Sequence, residues 1–451
     1  MEVKRPLFVY DAGPKEASAE RERLRAELAR LPAGSLLYLS GFLLDELDEA
    51  LKEAIAERVG RGELELLGGG LYSPYLPLLP KRDMLWQLAD MADRLEEAFG
   101  YEAEGAYLAG GAFDLTLIEA LAEEDYAFAL LPKEALPQPA YAALEERGVW
   151  LLPYAGGEVA FEPRNPRAPY PAGYLAEGGH PRLLPRRSER AADLFAKMRW
   201  VSDKLEEAAR PPEAAYERLF RGQWGPAYRG EDEEVFLFAW QELLAAENLC
   251  DPRKYGWLEL YLEDMDADGF PEAVFESHTL NLYLRPAEGG ALFGLDARAA
   301  DRPLLRRRSL VPRVAPDREG LAEGWHQARF EATRYRDRLH LAGRHAGFAL
   351  KTTYRPRPKE EAIELEWRIS RADGSAFRGL FAVDLWLWGL TPPEPATAEA
   401  HRLTLPGLTL ELSSPRPFEL LPQEGGLLLV FPTEIAAGQS RRHRLLIELK
   451  R

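Results

Sequence analysis

Residues 62–117 read GELELLGGGLYSPYLPLLPKRDMLWQLADMADRLEEAFGYEAEGAYLAGGAFDLTL, and their patterning decides the fold class. Glu63–Leu67 is a short, alternating, apolar-rich strand stopped by three glycines at 68–70. Lacking Cβ atoms, these let the chain turn sharply and approach another group closely. Asp83 is expected to open a helix as an acidic cap. Met84, Leu85, Leu88, Met91, Ala92, Leu95 and Phe99 follow at helical spacing, and Gly100 is its stop. Gly105–Leu108 reads as the next strand and Ala112–Glu124 as the next helix. This order is that of an α/β barrel or a doubly wound sheet.

In such folds the chemistry gathers where strands end and loops begin. Here those places are Gly68–Pro74, carrying Tyr72 and Ser73 with Tyr75 just beyond, and Ala109–Asp114. The second opens Ala109-Gly110-Gly111-Ala112, with no nucleophile, acid or base among the four.

Upstream, Leu7–Tyr10 is a buried strand ending at Asp11-Ala12-Gly13-Pro14, Ala17–Leu31 a helix, Ser35–Leu39 a strand and Asp45–Val59 a helix. Tyr126–Leu131 and Val149–Pro153 are further strands. Roughly six strands in about 155 residues keep the αβ rhythm. They predict an incomplete seven-stranded (β/α) barrel over residues 1–185. Ser188–Ala209, Glu213–Phe220 and Asp232–Glu247 make residues 186–254 a helical region. From Tyr255 the runs are short, β-branched or aromatic and separated by turns. Residues 255–451 are therefore expected to form an antiparallel β-sandwich. The fold class is α/β plus all-β.

The chain has 451 residues, too many for one core, with 57 Lys+Arg against 74 Asp+Glu and a net charge of −17. No Lys/Arg-rich block stands alone in the sequence, so neither nucleic acid nor a membrane surface is an expected partner. A single cysteine, Cys250, excludes an internal disulfide framework and suits a reducing cytoplasm. No signal-peptide core or membrane-length apolar run is visible. The wealth of Ala, Leu, Glu, Arg and Pro suits a thermophile, although high-GC coding gives the same bias.

Asp264-Met265-Asp266-Ala267-Asp268-Gly269-Phe270-Pro271-Glu272 brings hard oxygen ligands round one centre. It reads as the start of a calcium loop, with Asp264, Asp266, Asp268 and Glu272 as ligands. The twelfth position is Phe275, so it is not an EF-hand, and a metal-free acidic turn is the alternative. No organic cofactor is expected.

Gly62-Glu63-Leu64-Glu65-Leu66-Leu67-Gly68-Gly69-Gly70-Leu71-Tyr72-Ser73-Pro74, Leu79–Asp83 and Phe99–Leu108 together resemble a segment of glycoside hydrolase family 57, nearest to its 4-α-glucanotransferases and α-amylases. Leu280–Arg308, with Gly289-Gly290 and Arg306-Arg307-Arg308, resembles the start of that family's β domain. The resemblance implies a glucan-binding barrel, yet each catalytic motif departs from it. The family's nucleophilic Glu falls at Gly110, in Tyr107-Leu108-Ala109-Gly110-Gly111-Ala112-Phe113. Of the first strand's His-x-His-Gln-Pro motif only Pro14 remains, and no His precedes His180. The acid/base Asp has no counterpart, since no Asp lies between Ala155 and Ala192. In Arg221-Gly222-Gln223-Trp224-Gly225-Pro226-Ala227-Tyr228 only the aromatic Trp224 survives of a sugar-facing run.

A retaining glycosidase needs two carboxyl groups flanking the scissile bond. The expectation is therefore a catalytically silent α-glucan-binding relative with no catalytic residue and with Glu65, Tyr72, Tyr107 and Trp224 at the sugar. Two alternatives stand beside it: an active enzyme with relocated carboxylates, such as Glu65 with Asp83 or Asp114, and a non-catalytic structural protein. An oligo- or polysaccharide is the expected partner, and a homodimer or pairing with an active paralogue the expected assembly. Bland readings accompany each residue: Glu65 paired with an arginine, Trp224 as a packed connector, Asp114 complementing a helix dipole. Asp384, beside Trp386 and Trp388, is a further sugar-groove candidate. Tyr170, Tyr174, Glu177 and His180 are the functional-looking side chains of the Pro/Gly-rich loop Pro163–Pro185, and the sequence leaves open whether it folds over the cleft.

Overall fold

The computed structural model describes residues 3–144, 147–161, 171, 173–251, 255–391 and 393–450. The chain divides into two compact units, Met1–Leu243 and Leu244–Arg451.

The first unit is built on β1 (Val3–Tyr10), β2 (Ser35–Leu39), β3 (Leu64–Gly69), β4 (Gly105–Tyr107), β5 (Phe128–Pro132), β6 (Arg147–Ala155) and β7 (Glu158–Phe161). The first six run parallel in sequence order, from β1 against β2 to β5 against β6. β7 then folds back antiparallel on β6 and pairs antiparallel with β1, Val3 opposite Phe161. The six expected strands are thus joined by a seventh, β7, which closes the barrel that the sequence leaves incomplete. Being covered on both faces, β2 and β5 read as continuous apolar runs rather than alternating ones, and their Leu36, Leu37, Ala129 and Leu130 are buried.

Three boundaries move, each for a local reason. The helix Lys81–Phe99 starts at Pro80, so Asp83 is not its cap but lies buried in its first turn, held by Arg82 and by the Gln223 amide. Its other end is as expected, with Gly100 in the left-handed region (φ 62°). Asp114 Oδ1 accepts from the Thr116 amide at 2.9 Å, an Asx turn that delays the next helix to Leu117–Glu123. Before it, Ala109–Gly111 is a 3-10 turn and Phe113–Asp114 a two-residue strand. Asp48 Oδ1 accepts from Leu51 N, which starts the helix expected over 45–59 at Glu49, as Glu49–Gly60, with a separate short helix Gly41–Leu44 ahead of it. Glu189–Glu207, Glu213–Gly222 and Glu233–Cys250 are the expected helices, the first capped by Ser188. Among the described residues no helix is long and apolar enough to cross a membrane.

The second unit is a sandwich. A five-stranded antiparallel sheet from Leu258 to Pro303 shares one apolar core with a ten-stranded sheet that includes β8 (Leu339–His345), β9 (Phe348–Arg357), β10 (Ala362–Arg371) and β11 (Ser440–Lys450). Phe275 and Leu282 of the first face Leu350, Leu365 and Trp367 of the second in that core. The long strands alternate apolar-in and polar-out, as a half-buried sheet requires.

His443 on β11 breaks the alternation by pointing a titratable ring into this core. It stacks on Phe381 with centroids 5.4 Å apart, and its Nε2 lies 2.9 Å from Thr433 Oγ1. Burial first, then the charges of Arg441 and Arg416, push the ring down to about 3. The folded state therefore holds His443 neutral, and its contribution is complete above the unfolded value near 6.5 and lost as pH falls toward 3. Acid titration of thermal stability should show His443→Gln losing less stability between pH 7 and 4 than the wild type, by a few kcal/mol. Parallel curves would remove His443 as the acid-sensitive group.

Candidate functional site

The parallel strands end at one mouth of the barrel, where β1 delivers Asp11, the turn after β3 delivers Ser73, and β2, β4 and β6 deliver Tyr38, Tyr107 and Tyr154. Ser73 is buried with φ 51°, a left-handed conformation that a serine adopts only under constraint. The Gly225 amide donates to its carbonyl at 3.1 Å, and its hydroxyl donates to the Asp11 carboxylate. Tyr38 Oη lies 3.0 Å from the same hydroxyl. Asp11 itself remains open to solvent, although protein surrounds it on nearly every side. That is the situation of a side chain on the floor of a wet pit. Its crowding raises the carboxyl above the usual range, against the opposing effects of Ser73 and Arg229. Tyr107 stacks on Tyr38 with ring centroids 4.5 Å apart and hydrogen-bonds Tyr154; burial pushes its hydroxyl far up.

Gly110, the position where the family resemblance expects a nucleophile, is on the wall of this mouth. Its φ is 61°, and a Cβ there would fall 2.6 Å from Cε1 of Tyr75. The ring therefore fills the space a catalytic side chain would need. Tyr75 is 1% exposed and packs against Gly225 as well, so it has no empty direction in which to retreat. Arg229 Nε donates to its hydroxyl at 2.8 Å and the same guanidinium is ion-paired with Glu177. The Tyr75 hydroxyl is pushed up to about 12, chiefly by burial.

The described part of the loop that carries Tyr174, Glu177 and His180 lies against the Gly110 turn. Gly173–Tyr174 pairs antiparallel with Phe113–Asp114, and Ala176 N donates to the Gly110 carbonyl at 2.9 Å. Tyr174 lies against Gly111, and His180 turns aside to cap the turn at Arg182. Tyr170 lies outside the described residues.

Of the four expected sugar contacts, the structure brings only Tyr107 to the pit. Glu65 is the second residue of β3, at the opposite end of the barrel, ion-paired with Arg5 of β1. Tyr72 is fully buried beside Phe42, with its hydroxyl donating to Asp45 at 3.1 Å. Trp224 is 7% exposed, wedged between Phe42, Phe238 and Gly13, and so is the packed connector. The relocated carboxylate pairs are not assembled either. Asp83 is held by Arg82 and Gln223, and Asp114 is 3% exposed, with Arg182 Nε donating to it at 2.6 Å. Asp384 is a buried acceptor for Val311 N and Arg313, not a groove residue. Ser73 lies on a strand-end turn singled out in the sequence, whereas Asp11, Tyr38, Tyr154 and Arg229 were not anticipated. The signal for Asp11 was its place at the end of β1.

In the second unit, Asp264, Asp266 and Asp268 bring carboxylate oxygens within 4.8 Å of one another, as a cation loop needs. Glu272 does not join them: it accepts from the Met265 amide at 3.0 Å and from Arg285 at 2.8 Å. Arg285 also holds Asp266.

The sequence model of glycosyl hydrolase family 57 matches residues 19–165. Alpha-amylase 1 of Dictyoglomus thermophilum is 30% identical over 90 residues, 19% of this chain and 13% of that protein. The 4-alpha-glucanotransferase of Thermococcus litoralis is 31% identical over 118 residues, 23% of this chain and 18% of that protein. The chain thus aligns with less than a fifth of the length of either curated relative. The crystal structure of 4-alpha-glucanotransferase from Thermococcus litoralis covers 98% of this chain and 100% of its own, with a TM-score of 0.78 at 13% identity, a likeness of fold. Residues 19–165 of this chain are thus similar to glycosyl hydrolase family 57, and the chain shares the fold of that glucanotransferase.

Proposed function

We propose that this protein is an α-glucan-binding relative of the family 57 enzymes that has lost glycosidic-bond chemistry. The observation that carries the reading is the Tyr75 ring occupying the side-chain space of Gly110. A glycine cannot attack an anomeric carbon, and retaining hydrolysis needs a second carboxyl about 5–5.5 Å from the first. Asp11 at the pit floor is faced by Arg229, and the carboxyl that this guanidinium binds, Glu177, is engaged in that ion pair. What remains suits binding: one solvent-open carboxylate to accept sugar hydroxyls, and the Tyr107 and Tyr154 rings beside it. The printed activities of the relatives, alpha-amylase and 4-alpha-glucanotransferase, make an α-1,4-linked glucan the ligand to try first. A cytoplasmic location and partnership with an active paralogue belong to the same proposal.

Calorimetry with maltoheptaose, followed by product analysis after long warm incubation, tests this. Binding without new chain lengths is expected, weakened at least about tenfold by Asp11→Asn and by Tyr107→Ala. The Asp11→Asn variant should be no less stable than the wild type at pH 7, since a raised carboxyl opposes folding once ionised. New chain lengths would overturn the loss of chemistry; absence of binding would leave the paralogue-partner reading.

Restoring the nucleophile alone should fail. Gly110→Glu is expected to destabilise by more than about 2 kcal/mol, from the φ of 61° together with the clash with Tyr75, and to produce no turnover. An active, equally stable Gly110→Glu enzyme would show that Tyr75 does not block the site.

We also propose calcium at Asp264, Asp266 and Asp268, weakened by Arg285 and without Glu272. Millimolar calcium should raise the melting temperature by a few degrees and Asp268→Asn should abolish the rise. An unchanged melting temperature with calcium and with chelator would make the loop an acidic turn.

A further inference from the structure

The outward face of β8, β9, β10 and β11 collects cations that the linear sequence scatters. Register places Lys351 opposite Arg368, and Arg368 opposite Arg442, in one cross-strand row. Like charges directly opposite one another destabilise a sheet, so such a row is not there to hold the strands together. Glu366 is the nearest acid, and it already serves Arg442 at 3.1 Å, Arg444 at 2.9 Å and Arg368 at 4.0 Å. Lys351 makes no ion pair among the described residues. The next row holds His340 opposite Thr353, and Arg355 lies beyond it.

Lys351, Arg368, His340, Thr353 and Arg355 line a cavity of about 310 Å³ together with Arg338 and the carboxylates of Glu364 and Glu366. A second cavity of about 550 Å³ continues from it along Lys351 and Arg368 to Arg344 and Arg329. At the first cavity the Nε–H groups of Arg338 and Arg355 are buried without an acceptor. The Asp337 carboxylate is 3.9 Å from each, beyond hydrogen-bond reach. Glu364 is taken by Arg357 at 2.6 Å. Tyr335, 43% exposed, stands at the edge with its ring 4.7 Å from His340 and beneath Arg338. Burial and the three flanking cations hold the His340 ring below its usual range, with Glu366 opposing, so it is a neutral hydrogen-bonding group among fixed charges.

We propose that this groove binds a phosphate monoester, borne by a free sugar phosphate or by a phosphorylated glucan. A dianion with three acceptor oxygens matches several convergent guanidinium and ammonium donors better than a single carboxylate does. Tyr335 offers the apolar face on which the attached sugar ring lies. The groove is independent of the barrel mouth and does not require the glucan reading of that site.

Calorimetry of the full chain in dilute chloride buffer, with inorganic phosphate, glucose 6-phosphate, glucose and a phosphorylated maltooligosaccharide, tests it. Inorganic phosphate and glucose 6-phosphate should bind and glucose should not, with the affinity falling as chloride rises. The double variant Lys351→Ala/Arg368→Ala should lose at least about tenfold in affinity. It should also melt no lower than the wild type without phosphate, because it removes a like-charge row. Tyr335→Ala should weaken glucose 6-phosphate but not inorganic phosphate. Tighter binding of glucose 6-phosphate than of the maltooligosaccharide assigns a free sugar phosphate, and the reverse assigns the glucan ester. Equal affinity in wild type and double variant, no binding above chloride, or stronger binding of single-stranded DNA than of any monoester at equal phosphate would overturn the proposal.

Discussion

The antiparallel pairing of Val3–Pro6 with Glu158–Phe161 is the constraint on which the barrel depends. Six parallel strands make an open, twisted sheet with two unpaired edges. The hairpin between β6 and β7 reverses the chain and brings one of those edges to the other. Closure gives the sheet an inside, and only then do the carboxyl ends of the strands converge on a single mouth. Asp11 and Ser73 meet there because they terminate β1 and a turn after β3, although they are 62 positions apart in the chain.

The same convergence explains what the mouth cannot do. Space at a strand end is limited, and Tyr75, Gly110 and Gly225 share one volume: the ring takes it and both glycines yield it. Arg229 then fixes the ring through its hydroxyl and reaches Glu177 on the covering segment. The mouth is thereby a polar, aromatic-walled pit in which the ring stands where a side chain at 110 would project.

How much of this was legible follows from how local each signal is. Ser35–Leu39 and Leu280–Arg285 have the boundaries their runs predict, because an apolar run between turn residues is a local pattern. β8, β9 and β11 carry no such run. Their outward positions hold Arg, Lys, His and Thr, so the inward apolar residues are diluted and the strands do not stand out. Glu65 and Trp224 illustrate the limit for sites. Their residue types were right for sugar, but which end of the barrel a side chain occupies, and whether another ring already covers it, are properties of the assembled ring. Asp11 was overlooked for the converse reason: its environment is made by residues distant in sequence.

Tyr75 and Gly110 also constrain how the chain can change. Two positions that occupy one volume cannot vary independently. A side chain at 110 is obstructed while the ring is at 75, and a smaller residue at 75 gives up its packing against both glycines. Each single substitution therefore lowers stability, and the pair acts as a ratchet: a larger residue at 110 needs both changes together.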